Sequence, residues 1–565
     1  MSIKRRKKNG VVYLEQYKSI RIGNKIKSVY VKSLGPENPK AASTKPRVPV
    51  LERLEHFPSH RAGDVTILWE IAKENRFVEI LDGICCGQAH IEGISPGKLL
   101  TAWAINRVVD PTSATKLERW IPTTDLPRLM DANPADFSKD AFLSSLDFIC
   151  REDRTANRFI DNTVRINDYL YQDWRKRHPL SPMEKETVAY DMTSVLFFGV
   201  KCPLAEYGHN SDEIQRPQVN MALAVSRTDK YPIGQFVFSG KRHPASTLKN
   251  LLTWLVESSI DPGTIIWDRG NVSEEHIKAF ETVGWKVICG IPLSNKEASE
   301  VVKNTEIPLN PETYIQKSRT GHIYAVKTDT ALYGQNHSVV VYVNQERRNN
   351  LLNDQNEVLV DIGKQLNDLN EKGKGWSESK LHDEIDKIIG TKKKFFSIRV
   401  SRKVGSPRIK WEYRKRVSSD LADAYGKYLL FSSDDSIPAN EVIQTYFEKD
   451  YIEKVFRTMK SSEELEPVRH RLENRVRAYL FLCSLAYRLE VDLLNRFRTS
   501  YPDSNAWEQL DEYLFNLSRV ARTQIRFGQQ VKTYFLNISK KMQEISKKIG
   551  FQELFQDIIE VQFRM

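Results

Sequence analysis

The stretch GTIIWDRGNVSEEHIKAFETVGWKVICGIP, residues 263–292, constrains the fold more than any other in the chain. It reads as strand, loop, helix and strand, with Asp268 at the C-terminal tip of the strand TIIW. The same texture surrounds it. ETVAYDMTSVLFFGV reads as a strand ending at Asp191 and continuing into a further apolar stretch. QVNMALAVS and PIGQFVFSG add two strands about a turn at Thr228–Pro232, and PASTLKNLLTWLVESS is a helix. Alternating strands and helices predict a multidomain α/β protein, and acids just past strand tips sit where such sheets place their ligands.

The pattern breaks at residues 295–425, with strand-like HIYAVKTDTAL and HSVVVYVN, a charged helical stretch ESKLHDEIDKIIG, and the basic segments TKKKFFSIRVSRK and RIKWEYRKR. It resumes at GKYLLFSS, a strand feeding a helix that carries Glu453. Upstream, VVYLEQYKSIRIGNKIKSVYVKSLG reads as two strands around the turn dipeptide Gly23-Asn24, and residues 36–50 as a Pro/Ala/Lys linker. Residues 62–178 and 472–565 read as helical. The expected division is a basic hairpin and linker (1–50), a helical DNA-binding domain (51–180) and a first core segment (181–294). An insertion (295–425), a second core segment (426–475) and a helical C-terminal region (476–565) complete it.

A chain of 565 residues exceeds one core and predicts two to four domains. Its formal charge of +12 suits a polyanionic partner, and the excess is uneven: residues 1–33 hold ten Lys or Arg against Glu15 alone. Six cysteines without CxxC spacing argue against a zinc ribbon or a disulfide framework and fit a reducing cytosol. Eleven histidines without an HxH or HxxxH pairing suited to a metal argue against a zinc enzyme. No apolar run reaches the length of a membrane span, so a soluble, cytoplasmic protein is expected.

On a continuous helix over TYFEKDYIEKVFRTMK, Tyr446, Lys449, Arg457 and Lys460 all fall within about 40° of Glu453. Ile452, Val455, Phe456 and Met459 form the buried stripe. A surface helix laced with i, i+4 ion pairs would look the same. Asp191, Asp268 and Glu453 become informative together. If the two strands are neighbours and the helix crosses their tips, three like charges converge, which divalent cations relieve. Tyr446, Lys449, Arg457 and Lys460 would then face the flanking DNA phosphates.

These residues resemble the insertion-sequence DDE transposases defined by a Y-x2-R-x3-E-x6-K signature. Tyr446-x2-Lys449-x3-Glu453-x6-Lys460 fits that spacing, AYDMTSVLF looks like the first-aspartate strand, and IIWDRGNVS like the second. The resemblance implies an RNase H-like catalytic core interrupted by a β-rich insertion domain. It implies catalytic and metal-ligating Asp191, Asp268 and Glu453, with two Mg²⁺ ions per site and Mn²⁺ as a substitute. It further implies hydrolysis at transposon ends bearing terminal inverted repeats, then attack of the freed 3′-OH on target DNA. The protein would act as a homodimer on paired ends, in a prokaryotic cytoplasm at the nucleoid. Lys449 departs from the signature arginine, keeping charge but losing the bidentate fork. Asn210 and Asp212 depart from the family's Ser-Lys-Asp stretch, and Trp376 and Trp411 read as packing residues. Two alternatives stay open: a nuclease of the same fold without strand transfer, and an inactive DNA-binding relative, against which the intact acids count.

Overall fold

The computed structural model describes residues 1–8, 11–22, 25–38, 54–86, 93–153, 157–208, 210, 214–258, 260–268, 272–318, 320–333, 335–401, 409–414, 422–527, 530–552 and 554–555. The chain forms two compact units. The smaller comprises Met1–His60, Val520–Ile538 and Phe555–Met565. In it, β1 (Ser2–Lys8), β2 (Val11–Ile22) and β3 (Lys25–Pro36) make an antiparallel sheet, with Tyr17 opposite Ser2 on one side and Tyr30 on the other. The basic leader is thus a third strand beside the expected pair. Gly23-Asn24 and residues 39–50 of the expected linker lie outside the described residues. The C-terminal region, expected to be helical throughout, contributes an antiparallel pair, Ala521–Phe527 and Gln530–Leu536. Its sequences, ARTQIRF and QVKTYFL, carry the two-residue alternation of a strand, which the neighbouring helical periodicity masked.

The larger unit, Arg61–Arg519 with Ser539–Leu554, is built on a nine-stranded sheet. Its first half consists of β4 (Thr187–Leu196), β5 (Gln218–Ser226), β6 (Pro232–Ser239), β7 (Thr264–Trp267) and β8 (Lys286–Ile291), in the order β6-β5-β4-β7-β8. Three antiparallel strands are followed by two that run parallel to β4, the RNase H-like arrangement. The interior position of β5 explains its composition: all nine residues of QVNMALAVS are buried.

The sheet continues past β8. The strand β12 (Lys427–Ser432) pairs with β8, and β11 (Gln335–Asn344), β10 (Gly321–Leu332) and β9 (Tyr314–Ser318) follow it outward. The strands expected in a separate β-rich insertion therefore extend the main sheet. Between β11 and β12 the chain is mostly helical: α1 (Gln345–Lys372), α2 (Glu378–Ile389) and a ribbon of Phe396–Val400 with Ile409–Tyr413. Leu359, Leu366, Leu381, Ile385 and Phe396 give this part its own apolar core. Trp376 and Trp411 pack on it, with Trp411 Nε1 donating to Asn367 Oδ1 at 3.0 Å.

The 28-residue helix α5 (Glu473–Ser500) is buried along most of its length and straps the helical region to the sheet. Arg488, 1% exposed, donates to Asn167 Oδ1 at 2.6 Å and to the Pro232 carbonyl at 2.8 Å. Asn75 reaches Asp492 Oδ2 at 2.7 Å, and Arg475 reaches Asp147 Oδ2 at 2.6 Å. Beside this strap, Arg107, on the helix Pro96–Val109, donates to the carbonyls of Glu463 and Glu464. Glu463 is fully buried against Glu490 of α5. Burial and the neighbouring acid push Glu463 well above the usual carboxylate range, and burial lifts Glu490 to about 7.

Candidate active site

The two aspartates come from neighbouring strands. In the parallel pair β4–β7, Ile266 lies beside Ala189, an offset of 77 residues. Asp268 follows the last residue of β7, 77 positions after Asp191, and its charge is close enough to raise the Asp191 pKa. The strand does not stop at Asp191: it runs to Leu196, with Asp191 paired to Leu223 of β5. Tyr190, one step back, faces the other way and donates to Thr247 Oγ1 at 2.8 Å. Burial lifts the Asp191 carboxyl to about 6. The Met192 amide and the Lys449 ammonium oppose the rise, while Asp268 and Glu453 add to it. Both other expected carboxylates therefore act on Asp191 through space.

The expected helix over 445–460 is two. The helix α3 (Ala439–Glu448) ends at Lys449, and α4 (Asp450–Ser461) begins there. Tyr446 thus sits on α3, whereas Glu453, Arg457 and Lys460 sit on α4. Tyr446 is 6% exposed and packs with Ile266, Ile288 and Val442. Its hydroxyl donates to Asp268 Oδ1 at 2.8 Å. Burial, reinforced by Asp268, raises the phenol's pKa, so it keeps its proton and remains the donor. Lys449 Nζ stands 3.7 Å from the same oxygen, 3.9 Å from Asp450 Oδ1 and 5.2 Å from the centre of the Tyr446 ring. Glu453 and Arg457 are exposed, and Lys460 Nζ pairs with Glu466 Oε1 at 2.9 Å.

A cavity of about 540 Å³ opens beside Asp268, lined among others by Arg347, Tyr428, Tyr446, Lys449 and Asp450. Its donors are hard oxygens and cations, the chemistry of divalent metal and phosphate. Among the described residues, no three His, Cys, Asp or Glu side chains form a ready-made metal cage. Of the three expected carboxylates, Asp268 and Glu453 each raise the pKa of Asp191. Asn210 of the altered family stretch is structural, bonding both the amide and the carbonyl of Ile214; His209 and Asp212 lie outside the described residues. The Tyr446–Asp268 bond escaped the sequence reading, because its partners lie 178 residues apart and no local pattern signals it.

No curated protein matches the chain. Among solved structures, it is similar to a piggyBac transposase in a cryo-EM synaptic complex with hairpin DNA, with TM-score 0.38, 10% identity and 82% of each chain covered. The family model of the transposase DDE domain matches residues 182–489, which hold both aspartates, Glu453 and every strand of the large sheet. The chain belongs to the DDE-domain transposases.

Proposed function

We propose that this transposase cuts DNA at the ends of a mobile element and joins the freed 3′-OH to target DNA, using Asp191, Asp268 and Glu453 to hold Mg²⁺ or Mn²⁺. The observation carrying this reading is that Asp268, just past the strand beside that of Asp191, and Glu453 both lie close enough to raise the Asp191 pKa. A carboxyl lifted to about 6 by burial and by two like neighbours is only partly offset by Lys449. Bound divalent ions would supply the remaining counter-charge, activate the attacking oxygen and stabilise the leaving one. Tyr446 orients Asp268 and Lys449 stands beside it; in this reading Lys449, Arg457 and Lys460 contact the flanking backbone phosphates. Two copies acting on paired inverted repeats, in a prokaryotic cell, complete the proposal.

The test uses a labelled duplex carrying the element's own ends. Asp191→Asn, Asp268→Asn and Glu453→Gln should each lower Mg²⁺-dependent cleavage at least about 100-fold while DNA affinity stays within about twofold. Full cleavage by any one of them would remove that residue from the site. Products joined to a target plasmid are expected, and cleavage without joined product would instead mark a nuclease.

A further inference from the structure

The sheet β1–β3 has no core of its own. Its three strands hold ten lysines and arginines, and none of their described side chains is buried. Apolar side chains that a covered sheet would hide stand open: Ile3 is 61% exposed, Ile26 73% and Tyr30 50%. A three-stranded sheet normally needs one face packed to be stable, so this one is shaped for a partner. Among the described residues, only Arg5 and Arg6 of the ten cations meet a carboxylate, Glu37 and Glu15 respectively.

The distribution of charge says what the partner is. The run Lys4-Arg5-Arg6-Lys7-Lys8 lies on an extended strand, so its side chains alternate between faces. Register puts Lys4, Arg6 and Lys8 on the face of Tyr17, where Lys4 Nζ sits 4.7 Å from the ring centre. Lys7, Lys18 and Lys27 fall on the opposite face, level with Val12, Val29 and Ile20. A sheet that merely lay upon a polyanion would need cations on one face alone. Cations on both faces match a partner that presents phosphates on two sides, which is what the walls of a DNA groove do. With its side chains a sheet is about 10 Å thick, and the major groove, about 12 Å wide, admits β-ribbons.

We propose that β1–β3 enters the major groove of duplex DNA edgewise and contacts the phosphate backbones on both sides. The inference shares with the proposed function the premise that DNA is the substrate, but it does not depend on the carboxylates. Binding of the full-length chain to a duplex is followed by anisotropy across a salt series. The variants are Lys4→Ala/Arg6→Ala/Lys8→Ala and Lys7→Ala/Lys18→Ala/Lys27→Ala. Each should flatten the slope of log affinity against log salt by about 2–3, since each phosphate contact contributes about 0.9. Replacing the four lysines outside position 6 that line the two faces nearest β1, Lys4→Arg/Lys7→Arg/Lys8→Arg/Lys18→Arg, should keep the slope, which separates lost charge from lost folding. Loss on one face only would overturn groove insertion in favour of a sheet lying flat on the duplex. No change in either variant would overturn DNA binding by the sheet. Glu453→Gln, run alongside, should keep the full slope, so failure of the catalytic reading and failure of this one are told apart.

Discussion

At the scale of single residues, Asp268 is the constrained acid and Glu453 the open one. A buried phenol that stays protonated holds one Asp268 oxygen in place, and a lysine stands beside it. Tyr446→Phe keeps the ring in its apolar pocket and deletes only the donor. We expect cleavage to fall about 10–100-fold, the usual cost of losing a residue that orients a metal ligand. A Mg²⁺ titration of the rate checks this: the half-saturating concentration should rise, while DNA affinity, measured by anisotropy, should not. The sequence made Asp191, Asp268 and Glu453 legible because each follows a recognisable apolar pattern. It hid the role of Tyr446, because the spacing that marks this tyrosine points to phosphate as readily as to an acid far away along the chain.

At the scale of elements, the junction at Lys449 decides what the signature segment presents. The sequence there, Glu-Lys-Asp, holds no glycine or proline, so nothing local announces the break. Its effect is to set the Lys449 ammonium beside the aspartates, where it works against the rise in the Asp191 pKa. Removing it should let that pKa climb above its value of about 6. Because metal ligation needs the ionised carboxylate, the acid limb of the pH–rate profile should move to higher pH in Lys449→Ala, by about one unit. An unmoved limb in that profile would detach Lys449 from Asp191. Strands were legible where burial on both faces makes a continuous apolar run, as in β5 and β7. Their partners were not: β9–β11 look like a separate domain until pairing with β12 joins them to the main sheet, since pairing is set by residues about 90 positions apart.

At the scale of the molecule, the helical region and the sheet are joined by α5, and the acids Glu463 and Glu490 lie inside that join. Both carboxyls are raised, so the folded state binds protons that the unfolded state releases above about pH 4.3. Stability from this pair is accordingly present at low pH and declines as pH rises through about 7. Glu490→Gln removes one charge from the pair. Its melting temperature should exceed that of the parent at pH 8, by about 1–3 °C, and match it near pH 5. Scanning calorimetry of both proteins across that range checks the sign as well as the size.

The contact of Arg107 with the carbonyls of Glu463 and Glu464 has a consequence for anyone trimming this protein. The family match begins at residue 182, yet the turn that closes the glutamate-bearing helix hangs on a guanidinium anchored 75 positions before it. Excising the recognised segment would strip that turn of its guanidinium and leave the Tyr479 hydroxyl, which donates to the Glu464 carbonyl at 3.3 Å, to hold it. The smallest piece that keeps the Arg107 contact is therefore longer than the stretch that heredity makes recognisable.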